Sequence, residues 1–158
     1  MKRFLGLLLF VAACGTDGNP GEAFIGTWTY NAGSTSTQDC PDNTLDSNAT
    51  LTGSFQIAEG IDSDFIIVPG SGDKCPAQKF DVSGKVATIV PNQTCMYTEN
   101  TTSGAIMISG AYATGTYTLS ADKKGVTGQQ AGSVTYTGAG GTITCTLSGT
   151  VSASKVGN

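Results

Sequence analysis

Histidine is absent from the 158 residues, and the only arginine is Arg3. The first gap removes the commonest general base, and the second leaves the body of the chain without a bidentate anion clamp. None of the serines or paired carboxylates has an evident catalytic partner, so the chain reads as a non-enzyme with no cofactor. Zinc is excluded on similar grounds, because no histidine exists and none of the five cysteines forms a C-x-x-C pair. The acidic stretch around Asp39, Asp42 and Asp46 has oxygen ligands but lacks the glycine and the closing glutamate of a calcium loop, so no metal is expected. Also missing is any sustained 3.6-residue apolar period, which leaves helices short or absent.

Only one long apolar run exists, residues 4–13, and its ten residues fall short of the roughly 20 that a membrane-crossing helix needs. Lys2 and Arg3 precede it and small residues close it, which is the layout of a secretory signal peptide. Its end, Val11-Ala12-Ala13-Cys14, resembles the lipobox of bacterial lipoproteins. That resemblance implies lipidation of Cys14, cleavage before it and attachment of the mature chain to a membrane. Gly15 at the following position favours the outer membrane of the cell envelope. Residues 14–22 are rich in turn formers and read as a lipidated flexible tether, leaving residues 23–158 as one domain.

The mature chain carries six lysines against twelve acids, a side-chain charge of −6, which disfavours nucleic acid as a partner. Nine isoleucines and eight valines against four leucines, with abundant threonine, is a β composition. Strict alternation predicts strands at 50–58, 126–136 and 143–153, and shorter ones at 24–30, 64–68, 79–82, 85–90, 94–98, 105–109 and 116–120. Residues 32–49 read as the longest loop. The expected fold is all-β, an antiparallel meander of eight to ten strands closed as an up-and-down barrel, with a β-sandwich as the alternative.

With Cys14 assigned to lipid, Cys40, Cys75, Cys95 and Cys145 form an even set in an oxidising compartment. Of the three pairings available, the expected one is Cys75 with Cys95, which bracket a hairpin at Ser83-Gly84, and Cys40 with Cys145.

Gly26-Thr27-Trp28 in the first strand is similar to the G-x-W signature that opens lipocalin barrels, where the tryptophan plugs the closed end. A basic residue usually covers that ring, and Lys155 is the available substitute. Three functions follow. A structural or interaction module would act on an envelope protein partner through its loops. A lipocalin-like binder would hold a small apolar ligand in a cavity opening opposite Trp28 and lined by Phe55, Ile57, Tyr136 and Leu147. A protease inhibitor ranks behind both.

Lipid attachment is tested directly by Cys14→Ser, which is expected to move the protein from the membrane pellet to the soluble fraction. A variant that still sediments with membranes after a high-salt wash overturns the lipobox reading.

Overall fold

The computed structural model describes residues 18–156; the signal segment and Cys14 lie outside the described residues. Among the described residues there are eleven strands and no helix. In chain order they are β1 (Gly26–Tyr30), β2 (Thr35–Asp39), β3 (Ser47–Thr50), β4 (Ser54–Glu59), β5 (Phe65–Ile67) and β6 (Gln78–Ser83). They continue with β7 (Val86–Ile89), β8 (Gln93–Thr101), β9 (Gly104–Leu119), β10 (Gly125–Gly138) and β11 (Gly141–Lys155).

Every pairing is antiparallel, and one part of the sheet closes on itself. β1-β4-β5-β6-β7-β9-β10-β11 form a ring of eight strands, shut where β11 pairs back onto β1 with Trp28 opposite Lys155 and Tyr30 opposite Ala153. The other three strands extend three of the ring strands outwards: β2 follows β1 along β11, β8 follows β7 along β9, and β3, paired with β2, leads into β4. The long strands β9, β10 and β11 thus serve two sheets. One half of each belongs to the ring, and the other half to an open sheet ordered β8-β9-β10-β11-β2-β3.

Several elements differ from the sequence expectation. Residues 32–49 are not one loop, because they contain β2 and most of β3; these strands are polar except for Ala49 and carry no apolar alternation to betray them. The strand expected over 50–58 is broken after Thr50 by a turn at Gly53, whose φ of 82° suits glycine. Segments 105–109 and 116–120 are two ends of a single strand, β9. Within the segment 14–22, Asn19 accepts from the Gly21 amide at 2.8 Å and Glu22 donates back to the Asn19 carbonyl at 2.9 Å. This turn packs Gly21 and Phe24 against the ring, so the fold begins at about Asn19.

One end of the ring is sealed by aromatic rings. Phe24, Phe65, Phe80 and Tyr117 form a file with successive centroids 5.0, 5.0 and 5.2 Å apart. Trp28 is fully buried among the same core residues and donates its indole N–H to the Phe24 carbonyl at 2.7 Å. Each of these side chains contributes about 1.5–3 kcal/mol through burial. Lys155 covers the indole, its Nζ 5.7 Å from the ring centroid and 3.3 Å from the Ala23 carbonyl it donates to. Gly26 makes room for that lysine: a Cβ there would stand 2.8 Å from Lys155 Cε, and its φ is 139°.

A second, smaller core lies on the inner face of the open sheet, where Ile108 and Val134 pack around the disulfide joining Cys40 to Cys145. Cys40 lies just past β2 and follows the Asp39–Thr146 pair, so the bond pins β2 to its register on β11. Cys75 is joined to Cys95 on β8. Loops of these lengths give about 3 to 5 kcal/mol per disulfide in the chain-entropy account.

Gly26→Ala is expected to cost about 1–3 kcal/mol in urea unfolding, from backbone strain and displacement of Lys155. Adding Lys155→Ala removes the steric part and leaves the strain. A double variant as stable as Lys155→Ala alone overturns the strain argument.

Candidate functional site

Where the ring gives way to the open sheet, its interior is not filled. A cavity of about 540 Å3 lies there, within the range of about 300–1,000 Å3 common for small-molecule sites. Tyr30, Phe55 and Ile67 form the ring side, Tyr97, Tyr112 and Gln130 the sheet side, and Tyr117 and Val151 also line it. The connection between β5 and β6 borders it through Val68, Pro69, Asp73 and Pro76, and the Cys75–Cys95 disulfide staples that connection to β8. Four of the chain's five tyrosines line this one space.

A backbone irregularity brings two of them together. Tyr112 and Tyr117 are five positions apart, so in a regular strand they would face opposite sides. Tyr117 pairs with Gly128 and Tyr112 with Gly132, yet Thr114 pairs with Ala131, which leaves Ala113 as an extra residue in β9. The bulge shifts the phase by one, and both tyrosines face inwards. Each then stands opposite a glycine of β10; a Cβ at Gly128 would lie 2.7 Å from Tyr117 Cδ1. Gly128 therefore receives the Tyr117 ring, whereas Gly132 lies against the backbone of Ala111 and Tyr112.

The five residues expected to line one cavity are divided. Phe55 does line it, tilted against Tyr30 with centroids 4.7 Å apart. Trp28 and Ile57 are instead packed in the sealed core of the ring. Tyr136 and Leu147 belong to the second core, where the Tyr136 hydroxyl donates to Gln38 Oε1 at 2.9 Å. The expected lining thus mixed two cores separated along the strands, because β10 and β11 run through both. Tyr30, Tyr97, Tyr112, Tyr117 and Gln130 are not in the expected lining, and no motif in the sequence groups them.

Burial pushes the Tyr117 hydroxyl far above the usual tyrosine range, with Tyr30 and Tyr112 adding to the shift. Tyr30 is raised by burial and then by the nearby Asp73 carboxylate, and Tyr97 by burial, then by Glu99 and Tyr136. The Tyr30, Tyr97 and Tyr117 hydroxyls therefore stay neutral at ordinary pH. Gln130 Oε1 is buried with no hydrogen-bond partner among the described residues. Such an acceptor costs about 1–3 kcal/mol. No cluster of three or more metal-binding side chains occurs among the described residues. No family model, curated protein or solved structure matches the chain.

The raised Tyr117 value has a signed consequence. The unfolded chain ionises this group near pH 10, whereas the folded chain keeps it neutral, so the unfolded state binds fewer protons above that pH. Its contribution to stability is complete below about pH 10 and is lost as pH rises towards the folded value, at up to about 1.4 kcal/mol per pH unit. Tyr117→Phe is expected to shallow this alkaline fall. Urea midpoints measured across that range that decline equally in both proteins overturn the assignment.

Proposed function

We propose that the protein is a lipid-anchored envelope binder that holds a small molecule in the cavity at the mouth of its ring. One observation carries this reading: the space lies between a sealed aromatic core and a stapled loop, walled by four tyrosines and Phe55. A module acting only through its surface has no need to leave aromatic walls around an open interior. The reading is supported by the sealed end, where a buried tryptophan of a Gly-x-Trp strand lies under a lysine as in the lipocalin-like scheme.

Lipidation at Cys14 fits this arrangement. Residues 19–23 lie beside the turns at Gly84 and Lys123, at the sealed end. An anchor a few residues upstream then holds the sealed end towards the membrane and the mouth away from it, open to a ligand from the aqueous side. The outer membrane remains the proposed location.

The test uses the full chain carrying Cys14→Ser and a neutral apolar dye, N-phenyl-1-naphthylamine, whose emission rises on leaving water. Dye binding is expected, and Ile67→Trp, which fills the cavity, is expected to weaken it at least about tenfold. An unmodified cavity that gives no emission gain, or a filled one that binds equally well, overturns the binder and favours a solid interaction module.

A further inference from the structure

We propose that the cavity selects an organic cation, a protonated amine carried on an apolar body. The inference rests on the binding reading above and concerns what the walls and rim prefer. Five aromatic residues, Tyr30, Phe55, Tyr97, Tyr112 and Tyr117, line one space. The negative faces of such rings attract a cation and give nothing comparable to an anion.

Charge at the rim points the same way. Asp73, Glu99 and Lys74 are the charged residues lining the cavity, a balance of one negative charge. The two carboxylates also stand close enough to the aromatic wall to raise Tyr30 and Tyr97. No arginine occurs after Arg3, so nothing at the site offers a carboxylate or phosphate ligand a bidentate partner.

Gln130 supplies the third observation. It lines the cavity between β9 and β11, its side chain passing over Gly149, where a Cβ would lie 3.3 Å from Gln130 Cγ. Its Oε1 is unpaired, so the amide gains by turning towards a donor delivered into the space. An ammonium N–H is such a donor, and its apolar body lies against Phe55 and Ile67. A purely apolar ligand leaves the Gln130 acceptor unsatisfied, while a carboxylate finds donors only in the Gln130 amide NH2 and Lys74 and meets the like charges of Asp73 and Glu99.

Three matched probes decide the matter by displacing N-phenyl-1-naphthylamine from the full chain carrying Cys14→Ser: 2-phenylethylammonium, 2-phenylethanol and 3-phenylpropionate. The ammonium is expected to compete about tenfold better than either of the others. Asp73→Asn with Glu99→Gln should bring it down towards the alcohol; asparagine keeps an acceptor for the Gly70 amide that Asp73 now holds at 2.6 Å. Gln130→Leu should weaken the ammonium more than its N,N,N-trimethyl analogue, which has no N–H to donate. If the alcohol or the carboxylate competes as well as the ammonium while the dye still binds, the cation preference is wrong and the cavity reading stands. Equal loss for both ammonium compounds in Gln130→Leu removes the amide from the site. A chain that does not bind the dye at all takes both readings down together.

Discussion

Three uninterrupted antiparallel strands, β9, β10 and β11, set the terms for everything else in this fold. With 16, 14 and 15 residues, each is about twice as long as a ring of short strands requires. A strand of that length cannot end inside the ring, so its excess must be covered by something. Here β1 and β7 each turn slightly and continue as β2 and β8, covering the outer edges of β11 and β9. Only β5 and β6 have no such continuation, and the ring is closed where they are present and open where they are not.

That difference in closure explains where the interior is left unfilled. In the closed half, eight strands converge on Phe24, Trp28, Phe65 and Phe80, and the interior is fully occupied. In the open half, the inner face has strands on three sides only, and it builds a small core around Cys40 and Cys145. The junction of the two halves leaves a half-open cavity, because the ring walls are still present on one side and the connection between β5 and β6 crosses the other. Joining Cys75 to Cys95 limits how far that connection can move from β8, so the cavity keeps its shape without a further layer of protein.

Much of the architecture was legible in the chain. Alternation marked β4, β10 and β11 because one face of each is buried in a core and the other is wet, the condition under which a period of two is written into a sequence. Turn chemistry marked the hairpins at Gly84, at residues 121–124 and at Gly138 with Gly141, the last two joining β10 to its neighbours. The two strands hidden in residues 32–49 carried no such mark, since β3 is exposed throughout and β2 is only half-buried. Pairing there depends on hydrogen bonds along β11 and on the Cys40–Cys145 bond, neither of which needs apolar residues. β9 was split for a related reason: Gly110 and Gly115 interrupt its apolar phase, and the bulge at Ala113 reverses it.

The bulge also explains why the candidate site was harder to read than the fold. An inward-facing set inferred from a constant phase follows β10 and β11 correctly but assigns Tyr112 and Tyr117 to opposite faces. Glycines at 128 and 132 then look like empty positions, and the space seems to lie along β10. In the folded chain the Tyr117 ring lies against Gly128, and the backbone of Ala111 and Tyr112 closes on Gly132, so the volume there is taken up. What stays open is the region beyond the rings, next to Gln130, where no large side chain crosses from β11 because position 149 is also glycine. One extra residue in one strand therefore turns Tyr112 to the same side as Tyr117, and in place of the lining expected from Trp28, Ile57, Tyr136 and Leu147 the space is walled by Tyr30, Tyr97, Tyr112 and Tyr117.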